Sequence, residues 1–416
     1  MLDFATVQLS VLTLNVWALP LGLADDEETR IQAIAKRFPE FEVDVMAFQE
    51  VWTQSSLRVL TEGGRRAGYK AIWHRPAGTG SSGLLVLSRL PIVRRRFVPF
   101  RVEGLPERID HSDYYGGKGF ALLELATQAG HVTLLDTHLH ARYAPDAASD
   151  TYLEMRVAQV VQIAAEVATI AQPLVAMGDF NLREDEAEYT ILLGLTGWVD
   201  AAAERNQRQA TIVPGNTYRG PGSHSKGQRI DYVFTHDGLD RAITPESTQR
   251  IFDEALDAKG RRIHYSDHAG VQATLRLGGP PHRRKAPSNQ ALVQARKLLE
   301  QGLENARTRE NVQLGGAAGV LALAGLSEIG ARRVRRRAFL RAAGVAGAGV
   351  AGLLGWLALG PSSAQTAGFE AVLEDLSGLA IANPTAAGHP LDVSLTQTDP
   401  GVRPGPARRA EPALAS

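Results

Sequence analysis

The 416 residues include no cysteine, which excludes disulfides and thiolate metal sites, so any metal must be held by oxygen or imidazole. Formal charge is also absent: 45 Lys and Arg balance 45 Asp and Glu, so no overall field draws the chain to nucleic acid. Residues 1–278 carry no basic stripe that would follow a phosphate backbone, and no nucleic-acid partner is expected. A cationic start is missing too. MLDFATVQLSVLTLNVW contains Asp3 and alternates like a strand, so no export signal is expected and the first part of the chain is expected to face the cytoplasm.

What is present is a series of short apolar runs that end in polar residues. Leu174 to Asn181 is the sharpest: a run bounded by Pro173 stops at Gly178, Asp179, Phe180 and Asn181. Leu9 to Leu14 ends in Asn15, Val43 to Phe48 in Gln49 and Glu50, and Val132 to Asp136 in Thr137 and His138, while Ile230 to Phe234 carries Asp231. Asp267 and His268 precede a further strand-like run. Polar groups gathered at strand ends are how a sheet builds a site on its rim.

Helical patterns are fewer. Asp25 to Phe38 reads as a helix with acidic residues at its start and Lys36 and Arg37 at its end. Thr151 to Ala171 reads as another, with Thr151 and Glu154 matching a capping box and Leu153, Val157, Val160, Ala164 and Val167 on one face.

After residue 278 the composition changes. Residues 279–290 read as a linker, and Ala291 to Arg307 as an amphipathic helix. Leu314 to Leu326 and Ala342 to Leu359 are apolar, separated by Arg332, Arg333, Arg335, Arg336, Arg337 and Arg341. The second run approaches the roughly 20 residues that cross a bilayer, and Gly344, Ala348 and Gly352 give it a face of small residues. If it alone spans, with the arginines on the cytoplasmic side, Gln365 to Ser416 lies across the membrane or is disordered. An Ala/Gly-rich soluble hairpin is the alternative. The expected organisation is therefore a domain over 1–278, the linker, membrane-associated helices over 291–360, and a largely disordered Ala- and Pro-rich tail over 361–416.

The ordered set LNVW, FQEVW, GLLVLSRLPI, THLHARY, GDFNL, RIDYV and SDH, spread over residues 7–277, resembles the endonuclease/exonuclease/phosphatase superfamily, and within it the neutral sphingomyelinase branch. The resemblance implies an α/β fold, a four-layered sandwich of two mostly antiparallel sheets flanked by helices, with the site at the rim. It implies Mg²⁺-dependent, phospholipase C-type hydrolysis of sphingomyelin to ceramide and phosphocholine, with Mn²⁺ as a substitute metal. Lysophospholipids remain open as substrates, as do inositol-phosphate phosphatase or nuclease activity on the same fold and a membrane-anchored binding module.

Phosphodiester hydrolysis needs an activated water, a polarised phosphorus and relief of charge on the leaving oxygen. On the matching positions, Glu50 is the expected metal ligand, with Asp267 beside the site as a second. Asn15 would position metal and phosphate, and His268 would act as general base with its ring held by Asp231. His138 would donate to the phosphate or leaving group, while Asp179 and Asn181 orient the nucleophile; His140 is read as a decoy. Asp113 and Lys118 match the spacing of an Asp/Lys switch in the branch, which makes Lys118 a conditional catalytic residue. Tyr114 and Tyr143, with Asp113, are candidates on the substrate side, since a quaternary ammonium is held by aromatic faces; Trp17, Trp52 and Tyr115 lie near the same segments.

Overall fold

The computed structural model describes residues 6–75, 82–108, 111, 113–143, 150–219, 227–258, 260–282, 284–332 and 337–381. Fourteen strands occur among them. In chain order they are β1 (Val7–Ala18), β2 (Val45–Val51), β3 (Ala71–His74), β4 (Leu85–Ser88), β5 (Ile92–Pro99), β6 (Gly119–Thr127) and β7 (Gly130–His138). They continue as β8 (Leu174–Asp179), β9 (Val199–Asp200), β10 (Asp231–His236), β11 (Ile243–Ile251), β12 (Ala255–Ala258), β13 (Arg261–His264) and β14 (Gly270–Leu277). The helices are α1 (Glu27–Lys36), α2 (Gln54–Arg66), α3 (Asp113–Gly116), α4 (Leu153–Val167), α5 (Ala187–Thr196), α6 (Ala201–Glu204), α7 (Asn289–Ala331), α8 (Arg337–Leu357) and α9 (Ser363–Ile381).

Two six-stranded sheets, ordered β11-β14-β1-β2-β4-β3 and β5-β6-β7-β8-β10-β9, pack face to face, as the four-layered reading expects. Most neighbours are antiparallel, with β1–β2 and β7–β8 parallel. One apolar cluster fills the space between the sheets, a second joins the first sheet to α1 and α2, and a third joins the second sheet to α4, α5, α7 and α9.

Strand periodicity then positions the site. Side chains two apart share a face, and along β1 the inner face reads Leu9, Val11, Thr13, Asn15. Along β2 it reads Val45, Ala47, Gln49; along β7 Val132, Leu134, Asp136, His138; along β8 Val175, Met177, Asp179. Because β1 pairs in parallel with β2, and β7 with β8, all four inner faces turn from apolar to polar at the same end. Thr13, Gln49 and Asp136 form a buried hydrogen-bonded layer beneath that end, with Gln49 Nε2 donating to Asp136 Oδ1 at 2.8 Å.

The C-terminal third departs from expectation. Residues 289–331 form one 43-residue helix, not an amphipathic helix followed by a separate apolar segment. Helix α8 folds back against α7, with Ser327 Oγ donating to the Leu340 carbonyl at 2.7 Å. The face that meets α7 includes Gly344 and Gly347, while Ala348 and Gly352 are exposed, which corrects the expected small-residue face. Helix α9 is ordered and packed, so the start of the expected disordered tail is structured; residues 382–416 lie outside the described residues, as do Arg333, Arg335 and Arg336.

Phe369, Val372, Leu376 and Leu379 of α9 join the cluster over α4, and Gln365 Nε2 donates to the Glu103 carbonyl at 3.0 Å. The chain thus returns to the domain it left, which removes the arrangement in which α8 alone spans and the residues after it lie across the membrane. The same cover explains why α4 is buried on nearly all sides, not on one stripe. Tyr152, the residue that precedes α4, donates its amide N–H to Asp150 Oδ1 at 3.0 Å, and Thr151 forms no capping box.

Candidate active site

The glycine of GDFN permits the closest approach at the rim. At φ +137°, a Cβ on Gly178 would lie 2.0 Å from the Thr137 carbonyl oxygen, so only glycine lets β7 and β8 bring His138 and Asp179 side by side. Asp179 pairs across β8–β10 with Asp231, and Asn15 pairs across β1–β2 with Gln49, next to Glu50.

Contacts between the sheets close the constellation. Asn15 Nδ2 lies 2.9 Å from Glu50 Oε1 and 3.0 Å from Asp179 Oδ2, so one carboxamide ties the two sheets together. His138 Nε2 lies 3.4 Å from Asp179 Oδ2 and 3.8 Å from Glu50 Oε1. His268 Nδ1 meets Asp231 Oδ2 at 2.9 Å, which leaves Nε2 turned toward Asp179 Oδ2 at 3.9 Å. Six residues read from the sequence, Asn15, Glu50, His138, Asp179, Asp231 and His268, therefore converge.

Asn181 and Asp267 sit one step out. Asn181, at φ +50°, gives its amide N–H to Asp179 Oδ1 and its side-chain N–H to the Leu139 carbonyl, so it fixes the carboxylate and the strand end. Asp267 Oδ2 accepts from Arg219 at 2.8 Å. Arg219 was not singled out in the sequence; nothing in the polar 206–228 connection marks one arginine over another.

Lys118 is almost fully buried and makes three contacts: Asp113 Oδ1 at 2.9 Å, the Leu139 carbonyl at 2.7 Å and His138 Nε2 at 2.9 Å. An ammonium only donates, so His138 Nε2 accepts here, and burial with the neighbouring lysine drives the imidazole well below its usual range. Burial disfavours a charged Asp113, but Lys118, His140 and His138 outweigh it and hold the carboxyl well below its usual range. His140 is a neighbour of this cluster, not of the centre: its Nδ1 lies 3.5 Å from Asp113 Oδ2 and its ring stacks on Tyr152.

The candidate aromatic residues occupy different walls. Trp17 lies 5.2 Å from the Tyr218 ring, with the Arg30 guanidinium over both. Trp52 is wedged against Gly83 and Gly116. Tyr114 and Tyr115 stand edge to face on α3, and Tyr143, which is exposed, stacks on His111.

The electrostatics of the centre show too little positive charge. Burial, with Asp267 nearby, pushes Glu50 up to about 7, and burial with Asp231 pushes Asp179 up to about 6. Burial alone would lower His268, but Asp231, Asp267 and Asp179 push it up to about 10. Among the described residues, Glu50 Oε2 and Asp231 Oδ1 are buried without a hydrogen-bond partner. Glu50, His138 and Asp179 each bring a ligand atom within 4.8 Å of the others, as do Asp179, Asp231 and His268. Carboxylate oxygens and imidazole with orphaned acceptors fit a divalent cation.

Residues 12–268 match the Endonuclease/Exonuclease/phosphatase family. The chain belongs to that family. Within it, the chain is 31% identical over 312 residues to a Drosophila melanogaster protein named "Putative neutral sphingomyelinase", covering 73% of this chain and 68% of the relative, which sets it in the neutral sphingomyelinase branch. It is 25% identical to "Inositol phosphosphingolipids phospholipase C" of Schizosaccharomyces pombe, covering 65% of this chain and 69% of that one. Among solved structures, a beta toxin variant from Staphylococcus aureus with bound magnesium ions matches at TM-score 0.51 and 18% identity, over 64% of this chain and 99% of that chain, a likeness of fold.

Proposed function

We propose that this protein is a Mg²⁺-dependent phosphodiesterase of the phospholipase C type that hydrolyses sphingomyelin to ceramide and phosphocholine at a membrane surface. The observation that carries the reading is the convergence of Asn15, Glu50, His138, Asp179, Asp231 and His268 at one rim, with the Glu50 Oε2 acceptor unsatisfied. Glu50 would hold the metal with Asp267 beside it, and when bound the ion supplies the missing positive charge and polarises the phosphate oxygens.

The protein's own groups do the rest. Asp231 keeps His268 Nδ1 protonated and the ring oriented, so Nε2 is the atom that takes the proton from the attacking water once a bound cation offsets the carboxylates that otherwise hold the ring in its charged form. Asn15 and Asp179, joined by a hydrogen bond, would orient the water and a phosphate oxygen beside Nε2. The water oxygen bonds to phosphorus as the bond to the ceramide oxygen breaks, and that oxygen leaves with a proton.

His138 is the candidate donor, with a condition attached. While Lys118 donates to His138 Nε2, that nitrogen has no proton to give. Lys118 must turn from His138 toward a phosphate oxygen before His138 Nε2 can carry one. The Asp113–Lys118 pair thus acts on catalysis through the protonation of a neighbour as well as through charge.

The similarity to an inositol phosphosphingolipid phospholipase C supports a second head group on the same chemistry. Lipid dispersions of sphingomyelin, lysophosphatidylcholine and inositol phosphosphingolipid, each tested alone with Mg²⁺ or EDTA, separate the readings by which lipid is hydrolysed. Phosphocholine release from sphingomyelin that stops in EDTA is the expected result. Release only from the inositol lipid, or nicking of plasmid DNA in its place, would reject it.

A further inference from the structure

We propose that the loop Pro20-Leu21-Gly22-Leu23 is a membrane-docking tip that seats the site rim on a zwitterionic lipid surface. Leu21 is 96% exposed and Leu23 61% exposed, beside exposed Pro20. Leu21 also adopts φ +61°, a left-handed backbone that a leucine disfavours, so neither its side chain nor its conformation serves the stability of the fold.

The loop is held at its base. Arg30, fully buried, donates from Nη1 to the Val16 carbonyl and from Nη2 to the Trp17 carbonyl where the loop begins, and from Nε to the Asp25 carbonyl where it ends. One guanidinium thus fixes both stems, and the tip has a defined direction. The loop continues β1 directly beyond Asn15, whose Oδ1 accepts from the Trp17 amide at 3.0 Å, so it stands at the same end of the sandwich as the site.

That end is also where the helical hairpin leaves. Gly302 of α7 lies against Glu154 in the first turn of α4, and Arg309 lies 3.6 Å from Glu107, ahead of Lys118 in the chain. Beyond Gln313, α7 and α8 expose Leu321, Leu323, Leu326, Val345, Leu353 and Trp356. A lipid layer that takes up this hairpin therefore lies across the site end of the domain. The loop extends from the first sheet and the hairpin from the helices over the second, so the two would touch the layer on either side of the site. Residues 18–29 contain no cation and include Asp25 and Glu28, which fits phosphocholine head groups and not an anionic surface.

This inference rests on the membrane reading of the hairpin, and the test keeps the two apart. Because the chain has no cysteine, Leu21→Cys, Val345→Cys and Leu239→Cys each give one labelling position in the full-length protein. Leu239 is exposed at the far end of the second sheet, where its amide meets the Ala171 carbonyl. An environment-sensitive fluorophore is attached at each and the protein is reconstituted with phosphatidylcholine and brominated phosphatidylcholine.

Quenching at 21 and 345 but not at 239 is expected. Quenching at 345 with position 21 as silent as 239 overturns the loop proposal and leaves the hairpin reading standing. Silence at both 21 and 345 removes the membrane reading and the loop with it. In parallel, the double variant Leu21→Ser, Leu23→Ser should lose about tenfold on vesicles at low lipid while keeping its rate on a short-chain, monomeric substrate. Equal loss on both substrates overturns the proposal.

Discussion

The rim of the sandwich and the C-terminal hairpin break the same rule of burial in opposite directions. At the rim Asp179, Asp231, His138 and His268 are buried, although ionisable side chains belong in water. Along the hairpin Leu323, Leu326, Val345 and Leu359 are exposed, although apolar side chains belong inside. Neither departure stabilises the soluble fold. On the proposed function each would be resolved by something outside the chain: further positive charge in the first region, beyond that of Lys118 and His268, and a lipid environment in the second. The regions are also joined, since α7 and α9 cover α4 and clasp residues 101–107, which lead to Asp113 and Lys118; Arg101 is ion-paired with Asp375 of α9.

The sharpest way to break this comparison is to remove a buried rim charge. His268→Ala should lower turnover by roughly 10²–10⁴-fold, as expected for a lost general base. It should do so equally on vesicles and on a short-chain soluble substrate, because its defect is chemical. A loss confined to vesicles would mean that His268 serves docking. Next in size is truncation. Ending the chain at Leu277 strips α7 and α9 from α4, and Phe369→Ala alone should cost about 3–5 kcal/mol of stability by urea unfolding. Replacing residues 314–361 by a short turn should do far less harm. Ser362 Oγ already donates to Gln313 Oε1 at 2.8 Å, so the ends meet. That variant should be soluble without detergent, lose most activity on vesicles and keep it on the soluble substrate. Smaller again is Lys118→Ala, expected to lower turnover about 10–100-fold with the fold intact by circular dichroism. Unchanged turnover would sever the link between the 101–118 segment and the chemistry.

The rim was legible in the sequence because strand chemistry is local. An apolar run with period two that ends in Asn15, Glu50, His138 or Asp179 declares both its inner face and its polar end, and the ordered motifs supplied the pairing. The supporting layer of Thr13, Gln49 and Asp136 was not legible, since a polar residue inside an apolar run gives no sign of its partner on another sheet. The hairpin was half legible. Its apolar content was plain, but its path depends on α9, whose Phe369 and Leu376 are unremarkable until α4 is seen to need an outer cover. Gly344, Ala348 and Gly352 follow an even four-residue step along the sequence. The contact with α7 instead takes a step of three, which brings Gly347 inward against Ala324 and Val320 and leaves Gly352 facing out.

The smallest effect separates the two regions by pH. Glu50 and Asp179 are raised to about 7 and about 6 from ordinary values of 4.5 and 3.8. Between those limits the folded, metal-free protein keeps protons that the unfolded chain has released, so stability falls as pH rises. His268 is raised from 6.5 to about 10, and the stability its charged form provides is complete below 6.5 and lost as pH climbs through about 10. All three shifts therefore weaken the metal-free rim from acid toward alkaline pH. A divalent ion opposes that trend by supplying the charge. The melting temperature in Mg²⁺ should exceed that in EDTA by a margin that widens from pH 5 to pH 8. Glu50→Gln should flatten the dependence, whereas replacing residues 314–361 should leave it as it was. A margin that is constant across the range, or that narrows, would mean the buried carboxylates are balanced without a cation, and the contrast between the two regions would then rest on the hairpin alone.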